Sequence, residues 1–171
     1  MATDRNPSDI RIRPITLGDA AEVARIYNYY VTDTIVTFEE EPVSENEIVN
    51  RIFEVQSTGL PWLVAEQGQD ILGYAYASKW KGRIGYRFAV EVTVYLDQSS
   101  LKRGVGSLLY AELLRQLKAA GIRTAIGGIA LPNEASVRVH EKFGFEKVAH
   151  FKENGIKFDR WIDVGYWQLL L

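Results

Sequence analysis

The sequence contains no cysteine, only two histidines and a single methionine. The absence of cysteine excludes disulfides, thiolate catalysis and cysteine-ligated zinc sites. His140 and His150 are the only imidazoles, and their spacing fits no familiar metal-binding motif. We therefore expect a protein that works without a metal ion.

Long apolar runs and a strong imbalance of charge are also missing. No uninterrupted apolar stretch approaches the roughly 20 residues of a membrane span, and the first residues lack the apolar core of a signal peptide. The net charge of -2 argues against a protein that coats nucleic acid. These features predict a soluble, cytoplasmic protein with neither a membrane nor a nucleic acid as its partner.

The composition of the 171 residues is that of an ordinary globular protein, with 47% hydrophobic and 25% charged residues. A length of this order is most simply one domain with a sizeable core. The first eight residues are polar and predict a flexible N-terminal tail, followed by a single domain over residues 9–171.

Hydrophobic periodicity predicts the order β-α-α-β-β-β-α-β-α-β-β, a mixed α/β fold without internal repeats. Ser44 and Glu47 form a capping box that opens the second helix. Residues 86–96 are the longest predicted strand, and the last two strands are predicted to turn near Gly155. The strand-helix-strand unit over residues 86–131 predicts a right-handed crossover between parallel strands.

The stretch SLKRGVGSLLYAELL, residues 100–114, changes from a basic, glycine-bearing loop into an apolar helix. It matches neither the dinucleotide fingerprint nor the Walker A loop. Glycines allow close approach of a ligand, while the unpaired amides and the dipole of a helix N-terminus favour an anion. The loop predicts a phosphate or pyrophosphate site; the alternative is a surface turn with solvated cations.

Glu91 lies in FAVEVTVYL, in the middle of a very apolar strand. A carboxylate in such surroundings has its pKa raised by desolvation, toward the range that a general base needs. We therefore expect Glu91 to act as a catalytic base. The alternative is an edge strand that exposes this face to water.

VYLDQSSLKRGVGSLLY, followed by PNEASVRVHEKFGF, resembles the GNAT superfamily of N-acetyltransferases, and the order of elements matches over nearly the whole chain. The resemblance implies a mixed central sheet of about six to seven strands with helices on both faces. It also implies acetyl-CoA as co-substrate, bound by the backbone of one strand, by the phosphate loop and by two side chains of the following segment. These residues are Val94, Tyr95, Leu96, Lys102, Arg103, Gly104, Val105, Gly106, Ser107, Asn133 and Lys142.

The family usually has Gln or Arg at the position of Leu101, so side-chain contacts to the phosphates are expected to differ here. Alternatively, Asn133 only caps its helix and Lys142 is solvated.

The same resemblance assigns roles in the chemistry. His140 stands where the superfamily commonly has a tyrosine that protonates the leaving thiolate, and its imidazole can supply a proton at neutral pH. A satisfied structural histidine is the alternative. The amide of Val94 is the expected hydrogen-bond donor to the reacting carbonyl oxygen.

Four blocks are similar to the phosphinothricin-type N-acetyltransferases, which also include methionine sulfoximine and sulfone acetylators. The blocks are TFEEEP, YAYASKWKGRIGYRFAVEVTVY, ALPNEASVRVHEKFGF and GIKFDRWIDVGYWQ. This resemblance implies acetylation of a small amino-acid-like amine, of the kind that confers herbicide or antibiotic resistance. The residues expected to bind the acceptor are Phe38, Lys81, Gly82, Arg83, Tyr86, Glu91, Val92 and Thr93. A solvated WKGR loop and a core position for Phe38 are the alternatives.

Other functions remain open at this point. The acidic FEEEP stretch would suit a polyamine, the same fold acetylates protein N-termini, and a degenerate domain would bind acetyl-CoA without catalysis. The aromatic final strand, RWIDVGYWQLLL, predicts a homodimer surface, because related enzymes are commonly homodimers; burial in the core is the competing explanation.

Overall fold

A computed structural model of the protein describes residues 9–171, so the flexible tail predicted over residues 1–8 lies outside the described residues. Seven strands and four α-helices follow in the predicted order. Their bounds are β1 Arg11–Pro14, α1 Ala20–Asp33, α2 Glu45–Ser57, β2 Trp62–Gln67, β3 Asp70–Lys79, β4 Ala89–Leu96, α3 Val105–Ala119, β5 Thr124–Leu131, α4 Glu134–Lys142, β6 Glu146–Lys157 and β7 Arg160–Leu170.

All seven strands belong to one sheet with the order β1-β2-β3-β4-β5-β7-β6. The pairs are antiparallel except β4 and β5, which are parallel as the crossover predicted. The predicted mixed sheet is therefore confirmed, with β1 and β6 at its two edges.

Helices cover both faces of the sheet, because alternate residues of each strand point to opposite sides. Leu63 and Ala65 of β2 pack in the cluster that contains α3. Trp62 and Val64, on the other face, pack in the cluster built from α1 and α2. We call these two sides the α3 face and the α1/α2 face.

Local sequence signals set several helix ends. The hydroxyl oxygen of Ser44 accepts from the amide of Glu47 at 3.1 Å, so the predicted capping box begins α2. Gly104, at φ +79°, precedes α3, and Gly121, at φ +77°, follows it. Both glycines adopt a left-handed conformation that strains other residues.

Two details of the predicted strands were wrong. Residues 84–86 form a 3₁₀ turn rather than strand, so β4 begins at Ala89 and the longest strand is β6, with 12 residues. The last hairpin turns at Phe158 and Asp159, both at positive φ, while Gly155 lies inside β6 beside an irregularity in the pairing. A glycine in a strand marks a bulge as readily as a turn.

No helix within residues 9–171 is long and apolar enough to cross a membrane. The cytoplasmic location stays a prediction.

Candidate functional site

Strands β4 and β5 separate in the middle of the sheet. Their parallel pairing extends only from Ala89 and Thr124 to Glu91 and Ile126. Beyond Glu91, β4 continues to pair with β3 as far as Leu96, while β5 continues with β7 as far as Leu131. The separation opens a gap inside the sheet that is flanked by the C-terminal halves of two parallel strands.

The N-terminus of α3 lies at the far end of this gap. A Cβ atom on Gly106 would stand 3.4 Å from a side-chain carbon of Leu96, which places the first turn of α3 against the end of β4. No side chain within residues 9–171 caps this helix. Because the side chain of Val105 is fully buried, this residue can offer a ligand only its backbone. The uncapped amides of residues 105–107 thus have the geometry that favours an anion at a helix N-terminus.

Two of the predicted phosphate-binding cations are held by contacts around this turn. Lys142 Nζ donates to the hydroxyl of Ser107 at 2.9 Å, which brings α4 to the first turn of α3. Arg103 donates to Oε1 of Gln67 at 2.9 Å and is thereby tied to the end of β2. The predicted loop is therefore one local cluster, in which Lys102 is exposed at φ +63°.

The backbone of β4 offers its free edge to the gap at alternate residues. The amide of Asp97 donates to the carbonyl of Leu72 on β3, so the backbone groups of Leu96 face away from β3. There the hydroxyl of Tyr30 donates to the Leu96 carbonyl at 2.6 Å. Val94 shares this orientation, whereas the backbone of Tyr95 faces β3, which corrects the prediction that all three residues bind the coenzyme through their backbones.

Glu91 lies where the two strands part, opposite Ser78 of β3 and Ile126 of β5. It is therefore in a central strand, which excludes the edge-strand alternative. Burial raises the pKa of the Glu91 carboxyl, and the positive charge of Lys81 acts in the opposite direction. A shielded carboxylate with a raised pKa is suited to accept a proton near neutral pH.

Two successive glycines of β5 separate Glu91 from His140. Gly128 faces Glu91, since a Cβ there would stand 3.1 Å from Glu91 Oε1 and 3.1 Å from the ring of Tyr166. Gly127 faces the other side, where a Cβ would overlap the imidazole of His140. Glycines inside a strand indicate close approach of other groups, and here they admit side chains from both faces.

His140 is 3% exposed, and both of its ring nitrogens have partners. Nδ1 lies 2.8 Å from the carbonyl of Ser136, and Nε2 lies 2.9 Å from the hydroxyl of Tyr110. A carbonyl accepts only, so Nδ1 carries the proton, and Nε2 of the neutral ring accepts from Tyr110. Burial lowers the pKa of His140. This geometry favours the structural alternative over the predicted proton donor.

A cavity of about 410 Å³ opens between the loop after β3 and the strands β5, β6 and β7. Trp80, Phe151 and Tyr166 supply aromatic walls, and Lys81, Asn154 and Gln168 supply polar groups. Since Tyr166 also contacts the Gly128 position beside Glu91, this cavity adjoins the carboxylate. Its volume is within the range of small-molecule sites.

The predicted acceptor residues are only partly brought together. Lys81 lines the cavity, whereas Gly82, Arg83 and Tyr86 lie on the exposed loop before β4. Thr93 pairs with Tyr76, and the two side chains lie on the same face of the sheet as that of Glu91. The side chain of Val92 does not line the cavity, because it is 3% exposed and packs in the α3-face core.

Phe38 and Asn133 have contacts that their predicted roles did not specify. The ring of Phe38 packs against Gly155 of β6, where it occupies the space that a Cβ would need. Asn133 Oδ1 accepts from the amide of Ser136 at 3.1 Å and caps α4, as the alternative held. This cap leaves the side-chain NH₂ group of Asn133 available as a donor.

Sequence reasoning missed several residues of this site. Tyr30, Tyr110 and Tyr166 approach the gap from α1, α3 and β7, and their positions depend on how these distant elements pack. Gly127 and Gly128 carried a usable signal, because two glycines in an otherwise apolar strand favour close approach of other groups. No group of three or more metal-binding side chains occurs in the part of the chain that the structure describes.

A bare helix N-terminus, an interior strand edge and a shielded carboxylate between them are the arrangement expected of an enzyme that uses acyl-CoA. The chain belongs to the GNAT acetyltransferases: residues 12–165 match the acetyltransferase (GNAT) domain. It is an N-acetyltransferase with acetyl-CoA as its co-substrate.

Individual relatives agree with this assignment. The chain is 39% identical to a phosphinothricin N-acetyltransferase of Streptomyces viridochromogenes, over 98% of this chain and 90% of the relative. It is 31% identical to an L-methionine sulfoximine/L-methionine sulfone acetyltransferase of Salmonella typhimurium, over 94% of each. A solved phosphinothricin acetyltransferase from Sinorhizobium meliloti in complex with acetyl-CoA superposes with a TM-score of 0.92 at 33% identity. That superposition covers 95% of this chain and 89% of the other.

Proposed function

We propose that residues 9–171 form a single domain that acetylates the α-amine of a small amino-acid-like acceptor. The acceptor would be of the phosphinothricin, methionine sulfoximine or methionine sulfone type. The observation that carries this proposal is the partly buried Glu91, whose pKa is raised, beside a cavity in which Lys81 supplies the positive charge. The activities for which the relatives are named support it.

In this proposal Glu91 removes one proton from the acceptor's ammonium group, and the free amine attacks the carbonyl carbon of the thioester. The C–S bond then breaks, and coenzyme A leaves as a thiolate that takes up the second proton released by the amine nitrogen. Lys81 pairs with the acceptor's carboxylate, and the aromatic walls of the cavity enclose its side chain. The Val94 amide, which faces the gap, donates to the reacting carbonyl oxygen. The amides of residues 105–107, together with Lys142, hold the pyrophosphate.

His140 takes a positioning role in this proposal. Its Nε2 accepts from Tyr110 and its Nδ1 donates to Ser136, so no ring proton is free to reach a departing thiolate. Its contact with the Gly127 position fixes the wall of the gap on the α3 face.

The acidic FEEEP stretch gives little support to a polyamine acceptor. The carboxylate of Glu39 pairs with Arg51 at 2.9 Å, and the backbone carbonyl of Glu39 accepts from Lys157. Arg51 therefore offsets the charge of the Glu39 carboxylate. An acceptor with a carboxylate of its own agrees better with the charge of Lys81.

A thiol-release assay with acetyl-CoA tests the acceptor class. Methionine sulfone should be acetylated with a higher kcat/KM than spermidine or a short peptide. The matched control is 3-(methylsulfonyl)propan-1-amine, which lacks only the carboxylate. Losing one charge-assisted contact should lower kcat/KM by about 10- to 100-fold. Equal rates with and without the carboxylate would contradict the role of Lys81, and a clear preference for spermidine would replace the acceptor class.

We also propose a homodimer formed through the hairpin of β6 and β7. Ile156 and Trp161 face each other across this hairpin and are 45% and 63% exposed, and Phe158 at its tip is also exposed. Trp167 is buried in the core, so only part of the aromatic final strand is available for a partner. Sedimentation should show a dimer that Trp161→Glu dissociates, whereas a monomeric parent protein would contradict the proposal.

A further inference from the structure

Lys157, at the end of β6, is a buried lysine with an unusual partner. Lys157 is 1% exposed, and its Nζ donates to the backbone carbonyl of Glu39. The two residues are 118 positions apart in the chain, so this bond joins the loop between α1 and α2 to the far edge of the sheet. Lysine is almost never fully buried unless it is paired, which indicates a specific role for the contact.

The same loop is fixed on its other side by contacts to the helices. Thr37 is 8% exposed, and its hydroxyl lies 2.7 Å from that of Tyr27 in α1. Arg51 of α2 reaches the Glu39 carboxylate at 2.9 Å. Residues 37–39 therefore have one anchor on the α1/α2 side and another on β6.

The order and register of the strands show on which side of the sheet these two contacts lie. Helices α1 and α2 pack over β2, β3 and β4, whereas β6 is the edge strand beyond β5 and β7. β5 pairs with β7 only as far as Asp163, and Gly155 and Lys157 pair with the part of β7 beyond it. Both point to the α1/α2 face, as do Glu91 and Gly128. Residues 37–39 therefore lie on the side of the sheet that carries the proposed acceptor site, near the C-terminal end of β5.

Phe38 is the side chain of residues 37–39 that lies against β6. Its ring packs against Gly155, next to Asn154 of the 410 Å³ cavity, and remains 38% exposed. Lys157 bonds to the residue that directly follows Phe38. The position of the Phe38 ring thus depends on the Lys157 contact behind it and on the absence of a side chain at Gly155.

We infer that Lys157 is a positioning residue, which holds residues 37–39 and the Phe38 ring as a fixed wall over the acceptor amine. This inference rests on the proposed location of the acceptor site. It requires no contact between Lys157 and either substrate, and the acetyl-CoA contacts on α3 and α4 do not involve it.

The test compares Lys157→Met with Lys152→Met, an exposed lysine of the same strand. For the acceptor that the enzyme turns over, Lys157→Met should raise KM by about tenfold or more and leave the KM for acetyl-CoA within about twofold. Hydrogen exchange should accelerate at the amides of residues 37–41 in Lys157→Met alone. Lys157→Gln, which keeps a donor for the Glu39 carbonyl, should recover part of the acceptor KM.

Gly155→Ala provides a second variant that leaves Lys157 in place. The added methyl group would overlap the Phe38 ring, so the acceptor KM should rise here as well. This variant tests whether the Phe38 ring shapes the acceptor site, and Lys157→Gln tests the lysine itself if Lys157→Met fails to fold.

Three results would overturn the inference. Unchanged exchange at residues 37–41 would show that Lys157 does not hold the loop. Faster exchange with an unchanged acceptor KM would show that the loop does not shape the acceptor site. A lower Tm with both KM values unchanged would indicate a purely structural lysine. The exchange measurement needs no acceptor, so failure of the proposed function and failure of this inference give different results.

Discussion

Glu91 and His140 lie on opposite faces of the sheet, although both contact the Gly127–Gly128 pair of β5. Successive residues of a strand face opposite sides, so the two glycines admit a carboxylate from one face and an imidazole from the other. The two groups that the sequence proposed as base and acid therefore have separate environments. Burial raises the pKa of Glu91 and lowers that of His140, so both groups are driven toward their neutral forms.

Replacing Glu91 with Gln removes the base while nearly preserving the shape of the side chain. We expect kcat to fall by about 10²–10⁴, the usual contribution of a positioned acid–base group, with acetyl-CoA affinity unchanged. Steady-state kinetics and a titration with acetyl-CoA measure the two quantities. An unchanged turnover would remove Glu91 from the mechanism.

The pH dependence of kcat/KM should show the raised pKa of Glu91. Activity requires the carboxylate form, so kcat/KM should fall as the pH drops through a value above the ordinary pKa of a glutamate. The charge of Lys81 stabilises the carboxylate, so Lys81→Met should move this acidic limb to higher pH. A limb that does not move would show that Lys81 does not act on Glu91.

His140 and Tyr110 should behave as a structural pair. Tyr110→Phe removes the hydroxyl that Nε2 of His140 accepts from, and an unpaired buried polar group costs about 1–3 kcal/mol of stability. Thermal or urea unfolding measures this loss. We expect the basic limb of the pH–rate profile to be unchanged in His140→Gln. A shift of this limb in a variant with a normal Tm would indicate that His140 is the proton donor.

A side chain at Gly128 should displace its neighbours. A methyl group there would stand 3.1 Å from both Glu91 Oε1 and the Tyr166 ring, so Gly128→Ala should displace the carboxylate and lower kcat by about tenfold or more. Gly85→Ala is the matched control, because a Cβ at Gly85 meets nothing within 4 Å. Equal activity of the two variants would mean that the carboxylate does not need its present position.

Lys142 should contribute to coenzyme affinity and not to chemistry. It lies 2.9 Å from Ser107 in the first turn of α3 but is exposed, so its electrostatic contribution is modest. Lys142→Met should raise the KM for acetyl-CoA a few-fold, less at high salt, and leave kcat unchanged. Lys118→Met, at the opposite end of the same helix, should change neither quantity.

Most of the fold was predictable, because it depends on patterns that are local in the chain. The period of apolar residues, the Ser44 cap and the glycines around α3 each act within a few residues. The hairpin turn was misplaced, since Gly155 has a function in packing against Phe38 that no local pattern reveals. The loop-to-helix geometry at residues 100–107 was predictable for the same reason, as its glycines, cations and helix start are contiguous; phosphate binding there stays a prediction.

The acceptor side of the site was less predictable. Lys157 and Glu39, or Tyr30 and Leu96, meet only after the whole sheet has formed, and single-sequence reasoning has no measure of such distances. The orientation of Val92 and Tyr95 depends on the register of β4 against β3. The alternation of residues shows which side chains share a face, but it does not show which face of the sheet they point to.

The short pairing between β4 and β5 has a consequence for how stable the protein is against degradation in the cell. In the proposed binding mode acetyl-CoA lies along the free edge of β4, so it should favour the folded chain by mass action, by about 2.7 kcal/mol when its concentration is 100 times its Kd. Resistance to proteolysis would then rise and fall with the metabolic supply of acetyl groups. A cell short of acetyl-CoA would lose both the reaction and, more slowly, the enzyme itself.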